Sequence, residues 1–437
     1  MQGSQDTLIA RRMLNLGTEN AFKIGVDIAY CVQMGMDVIR LNLGEPDFDT
    51  CDVVNRRACE EITRGNSHYC DPQGILPLRE AVARSVRESR GVYVTPDRVV
   101  VTAGAKPPIF YTLCTYVNEG EEVIYPSPGF PIYESIITFL GARPVPLHLQ
   151  EAKGFRFTAD ELDRLVTPRT KLIIINSPSN PTGGVLRREE IRDIAEVIRT
   201  RCRPDVRVYS DEVYESILFD GRSHVSILSE PGMEERTVMV SGHSKTYAMT
   251  GWRLGYAVLP TTQEAGYFRH LNINTISCVP PFVQVAGREA IVAGAVRPVV
   301  DRMVAAFQER RDCVVDALRG IDGVSCAKPE GAFYVFPNIG PALEKLGLLR
   351  LHDDLPEAVR ARTSPSTIFQ MFALYNHGVA TMDRRSFGRI GAEGKHFLRL
   401  STAAGLDALK EGVRRLESAL GDADGIRAFV DRGDHLS

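Results

Sequence analysis

SGHSKTYAMTGWRLGY, residues 241–256, places Lys245 among small residues. Just before it runs ERTVMV, Glu235 to Val240, whose Val-Met-Val core reads as a short buried strand. Ser241, Gly242 and Ser244 let backbone come close to another group, and their hydroxyls can donate to an anion. Arg253 follows between Gly251 and Gly255. A lysine at a strand end suits a Schiff-base site, and a planar guanidinium nearby suits a phosphate clamp. Taken alone, the pattern is a weak signal, since most lysines are solvated surface residues.

Outward from this stretch, strand and helix signals alternate between residues 95 and 260, which predicts an α/β fold. In RVVVTAGAKPPIFYTL, the apolar run Val99 to Val101 leads into the turn Thr102 to Lys106 and a helix entered at Pro107. Small residues at a helix N-terminus offer free N–H groups and the positive dipole end to a phosphate. In TKLIIINSPSNPTGGVL, the strand Leu172 to Ile175 is followed by a polar, Pro/Gly-rich loop from Asn176 to Gly184. That loop lies at the carboxyl end of its strand, where α/β sheets bind ligands. In VRVYSDEVYESILFDG, Asp211 ends a strand and Tyr214 lies three residues later. Arg399, in HFLRLS, sits on a strand ahead of an amphipathic helix starting near Leu406. Elsewhere, residues 18–35 read as a helix with Thr18 as N-cap and Gly35 as stop, 52–64 as a second, and 297–319 as a long one linking two domains. Residues 341–366 carry no motif and read as a surface insertion.

Composition narrows the functional classes. A length of 437 residues allows two or three domains, and the formal net charge of −3 gives no electrostatic reason to expect nucleic acid or an anionic membrane as partner. No apolar run approaches a bilayer span, and MQGSQDTLIARRMLNLG lacks the apolar core of a secretory signal. The nine cysteines form no C-x-x-C pair and no Cys/His cluster at zinc spacing, so a metal is not expected. They read as reduced thiols of a cytoplasmic protein.

The string S-x-x-S-K-x-x-x-M-x-G-W-R-x-G-Y resembles the cofactor-lysine signature of the class I/II aminotransferases. Other blocks extend the likeness in the family's order, from LNLGEPDFDT at residues 41–50 to FLRLS at 397–401. The resemblance implies the type I fold of enzymes dependent on pyridoxal 5′-phosphate (PLP): a mainly parallel seven-stranded sheet with helices on both faces, plus a smaller α/β domain. It divides the chain into an N-terminal arm and part of the small domain (1–49), a large PLP-binding domain (50–296) and a small C-terminal domain (297–437). Lys245 then carries PLP as an aldimine, with Asp211 at the pyridine nitrogen and Asn180 and Tyr214 near the phenolic oxygen. Phe130 covers the ring face. Gly104, Ala105 and Lys106, with Ser244 and Arg253, surround the phosphate, which Tyr69 reaches from the neighbouring subunit of a homodimer. Gly44, Asn180 and Arg399 take the substrate α-carboxylate. Lys106 also matches a lysine that some aspartate-type members point at the substrate's distal carboxylate.

The reaction so implied moves an amino group from an L-amino acid to a 2-oxo acid. A lyase, decarboxylase, oxidase or carbon–carbon bond-forming PLP enzyme shares every residue named. One segment departs from the family: where its members carry a Pro-Gly turn, this chain has Asp383-Arg384-Arg385 within GVATMDRRSFG. The arginines read as a solvated charge run, or else as a bias towards acidic substrates in the active-site lid.

Overall fold

Seven strands of mostly apolar residues form the central sheet of the computed structural model, which describes residues 8–17 and 19–433. Across the sheet they run Val99–Thr102, Gly255–Val258, Thr237–Gly242, Arg207–Asp211, Thr170–Asn176, Glu122–Ser127 and Arg143–His148. Only Gly255–Val258 is antiparallel to its neighbours. Buried on both faces, parallel strands are free of inside–outside alternation, which is why Val-Val-Val and Leu-Ile-Ile-Ile runs make strands here. The crossovers are helices such as Pro107–Tyr116, Ile132–Phe139 and Arg188–Arg201.

Register sets the site. Asn176 pairs with Asp211, and Asp211 with Val240, so the carboxyl ends of three adjacent strands lie side by side. Lys245 follows the third within the short helix His243–Thr246.

A second layer is built from both ends of the chain. Ile39–Arg40 pairs in parallel with Val379–Ala380, and Leu398–Ser401 lies between Met382–Asp383 and Tyr334–Val335 in an antiparallel sheet. The helix Val296–Arg319 packs against Leu406–Gly421, which begins at the expected residue. The first helix runs Asn20–Gln33; the cap read at Thr18 lies outside the described residues. Gly35 takes a left-handed φ of 87° where the chain leaves it.

Residues 341–366 are not a surface insertion. They form short helices at Gly340–Lys345, Leu348–Asp353 and Glu357–Arg360, and Leu343, Leu346 and Leu348 are buried in the core with Phe369 and Phe372. Helices this short show too few turns for apolar periodicity to be read.

Candidate active site

The strand ends, the turn before Pro107 and the small layer enclose one cavity of about 460 Å³, a size suited to a cofactor with a small substrate. Lining it are Gly44, Ala105, Lys106, Phe130, Asn180, Asp211, Tyr214, Ser244, Lys245, Arg253 and Arg399. Gly104 supports it from behind. Its φ is +84°, and a Cβ there would come within 2.3 Å of Arg253 Nη2. Tyr69 is not brought in: it lies outside this cavity and is 88% exposed.

Lys245 Nζ donates to the Gly44 carbonyl at 2.5 Å and stands 5.8 Å from the centre of the Phe333 ring. Burial opposes its charge and lowers its pKa to about 8. Gly44 must be glycine for a local reason, since a Cβ there would lie 1.9 Å from Tyr334 Oη. Tyr334 in turn shares a 2.8 Å hydrogen bond with Tyr214 Oη.

Asp211 is 6% exposed, and burial raises its pKa to about 6. Two donors work against that rise: Tyr133 Oη at 2.5 Å and the Val213 N–H at 3.4 Å. A carboxylate left this poorly hydrated is matched to a cationic partner in the cavity.

Arg399 donates through Nη1 to Asn180 Oδ1 at 3.2 Å and through Nη2 to the Asn42 carbonyl. Its Nε is buried without a hydrogen-bond partner from the described residues. The guanidinium lies between the Tyr334 and Phe387 rings, 4.6 and 4.8 Å from their centres. An orphaned donor on a ring-held planar fork fits a carboxylate. With Oδ1 of Asn180 occupied, its amide nitrogen remains as a donor.

Gly104, Ala105 and Lys106 precede the helix Pro107–Tyr116, and Ser244 and Arg253 face the same cavity. Arg253 adopts φ +52°, a costly backbone state of the kind that collects at binding sites, and donates to the Thr250 carbonyl at 2.7 Å. The site therefore fits PLP on two counts, the buried carboxylate and the cationic cradle at a helix N-terminus, and the orphaned guanidinium donor fits the carboxylate of a substrate beside it. Ser241 takes no part, because its Oγ donates to Glu215 Oε1 at 2.7 Å.

Several lining residues escaped the sequence reading. Tyr133 looks like core, and the signal that marks it is a buried phenol, which needs an acceptor. Tyr334 has no role assigned from sequence, although it lines the cavity. Glu19 and Phe22 belong to the first helical segment and carry no motif. The lid arginines do not line this cavity, and Arg384 is not solvated while Arg385 is half-buried. Arg384 is 1% exposed and donates to Ser127 Oγ at 2.9 Å and the Gly388 carbonyl at 2.7 Å. Arg385 donates to the carbonyls of Thr363 and Ala361, and Asp383 accepts from the Ser386 N–H. Carbonyls of turns and helix ends lack intrahelical donors, and guanidinium groups supply them.

Residues 36–416 match the family model "Aminotransferase class I and II". The chain is 37% identical over 388 residues to the probable aspartate/prephenate aminotransferase of Aquifex aeolicus, covering 88% of this chain and 92% of that one. It is 35% identical to aromatic-amino-acid aminotransferase 2 of Thermococcus litoralis over the same shares. Its structure superposes on the aspartate aminotransferase of Rhizobium meliloti with a TM-score of 0.84 at 33% identity, covering 94% and 98% of the two chains. The chain belongs to the class I and II aminotransferases, as a PLP-dependent aminotransferase of the type I fold.

Proposed function

We propose that Lys245 is the cofactor-holding and proton-carrying residue of a transamination between an L-amino acid and a 2-oxo acid. One observation carries the assignment: Lys245, Asp211 and Arg399 open onto a single cavity from three separate parts of the chain. When bound, PLP supplies an aldehyde carbon that takes the amino group and a ring that withdraws electrons from the substrate Cα. Asp211 would pair with a protonated ring nitrogen, Phe130 would cover the ring, and Asn180 and Tyr214 would flank its phenolic oxygen. Ser244, Arg253 and the backbone N–H groups of the turn Gly104–Lys106 would hold the phosphate, the Lys106 side chain being turned to Glu19. Arg399 would grip the substrate α-carboxylate beside Gly44, orienting Cα–H towards Lys245 Nζ. A pKa near 8 keeps part of that amine neutral, so it can take the Cα proton and would carry it to the carbon that PLP supplies as its aldehyde. Over the full cycle the donor gives up its amino group and Cα hydrogen and leaves as a 2-oxo acid. The acceptor gains both, and the water taken up in one half is released in the other.

A homodimer belongs to the same proposal. Tyr69 is exposed, and Phe22, Val26 and Tyr30 make an exposed apolar stripe on the helix Asn20–Gln33, which a second copy would cover. The pairing of Ile39–Arg40 with Val379–Ala380 supports assigning 1–49 and 297–437 to one side of the molecule and 50–296 to the other. Among the described residues no helix is long and apolar enough to cross a membrane, and the nine free thiols fit a reducing cytoplasm.

The test is a panel of amino-acid donors with 2-oxoglutarate, run on PLP-loaded wild type and Lys245→Ala. Turnover in wild type alone, with loss of the long-wavelength cofactor band in the variant, is the expected result. An unchanged band in Lys245→Ala overturns the assignment.

A further inference from the structure

The cavity extends past the residues assigned to cofactor and α-carboxylate. Its remaining wall combines an apolar part, from Phe22, Leu43, Ile109 and Phe130, with a charged part holding Lys106, Glu19 and Glu45. Lys106 Nζ lies 5.5 Å from the centre of the Phe130 ring and 5.7 Å from that of Phe22. Its charge is already paired, because Glu19 Oε2 accepts from it at 2.8 Å. The Glu19 side chain is 19% exposed and that of Lys106 44%. Of the other cations lining the cavity, Lys245, Arg253 and Arg399 are taken up by the cofactor and the α-carboxylate in the reading above. A second carboxylate on the substrate would meet a neutralised pair. To pair with Lys106 it would have to share the ammonium with Glu19 or displace it, and either way two carboxylates come side by side on a wall that also holds Glu45, a like-charge arrangement.

We propose that Glu19 is a built-in counterion that silences Lys106 and sets the cavity for amino acids with uncharged, apolar or aromatic side chains. This rests on the transaminase reading above. An apolar side chain docks on Phe22, Ile109 and Phe130 with the Glu19–Lys106 pair intact. Aromatic donors gain most, since the two rings offer edge and face contacts. Glu19 acts by charge and touches neither the cofactor nor the reacting atoms. It is a specificity residue.

Removing the counterion should free Lys106 for a distal carboxylate. In Glu19→Gln the ratio of kcat/KM for aspartate to that for phenylalanine should rise about tenfold, a typical scale for unmasking a partly buried charge. The gain should vanish in Glu19→Gln combined with Lys106→Met, which separates release of the lysine from general loosening. Binding of two unreactive probes to the PLP-loaded protein gives a second readout. Wild type should bind 3-phenylpropionate more tightly than maleate, and Glu19→Gln should narrow or reverse that order. Wild type that favours aspartate and maleate, or a ratio unchanged in Glu19→Gln, overturns the proposal. If no amino acid is turned over, the transaminase reading fails on its own, and the two probe affinities still decide the charge preference of the cavity.

Discussion

Tyr133→Phe isolates one hydrogen bond whose effect can be worked out. Asp211 is buried, and its pKa of about 6 is the net of desolvation pushing up and the Tyr133 hydroxyl, 2.5 Å away, pushing down. A hydrogen bond to a charged group is worth about 1.5–3 kcal/mol. At 1.36 kcal/mol per pH unit, its loss raises the proton affinity of Asp211 by about tenfold to a hundredfold. At neutral pH the wild-type carboxyl is then mostly ionised, and that of the variant mostly protonated. A protonated carboxyl cannot pair with a cationic ring nitrogen, so cofactor affinity falls. The shape change is small, since phenylalanine keeps the ring that packs at 5.7 Å against Phe130. The assay is PLP affinity against pH in a Lys245→Ala background, so that covalent capture does not hide the ring pocket. In the background protein, affinity should climb as pH rises through about 6 and then level off. With Tyr133→Phe added, the climb should move to higher pH and recover affinity in alkali. Coincident profiles would refute the reasoning and mean that the tyrosine only fills space.

Further expectations follow from neighbouring groups. Because burial lowers Lys245 to about 8, covalent capture of PLP by the apoprotein should speed up with pH below that value, about tenfold per unit, and plateau above it. A rate still climbing steeply well above pH 8 would show an ordinary lysine. Gly44→Ala should cost at least about tenfold in kcat/KM, because the new Cβ strikes Tyr334 Oη and shifts the carbonyl that accepts from Lys245. Tyr334→Phe should restore part of it by removing the struck oxygen. Arg384→Met should lose about 1–3 kcal/mol of stability, read in denaturant, while the KM for each donor stays within about twofold. A KM for acidic donors that rises far more would return Arg384 to the substrate.

Much of the candidate site's lining was legible in the sequence for a physical reason. A parallel sheet buries both faces, so its strands are unbroken apolar runs and the first polar residue after each run marks a carboxyl end. Thr102, Asn176 and Asp211 each stand at such an end, as does Gly242 shortly before Lys245. The same logic cannot reach groups that act through tertiary contact. Tyr133 is indistinguishable from a core tyrosine until the fold sets it beside Asp211. Arg384 and Arg385 look like surface charge in sequence because the carbonyls they satisfy belong to other segments. Tyr69 is exposed and lies outside its own chain's cavity, so the role proposed for it needs a second copy.

Glu19 is the most instructive of these. In sequence it is an acidic residue at a helix start, where favourable interaction with the dipole is explanation enough. Lys106, 87 residues later, matches a family position that meets a distal carboxylate, and that alone argues for an acidic substrate. The fold joins the two side chains at 2.8 Å and reverses the inference, because the carboxylate that Lys106 meets is the protein's own. Which residues line the proposed cofactor site can be read from strand ends together with the family resemblance, where the chemistry demands fixed residue types. Which substrate enters depends on whether a cavity charge is already neutralised, and that is a property of pairs the chain brings together only on folding.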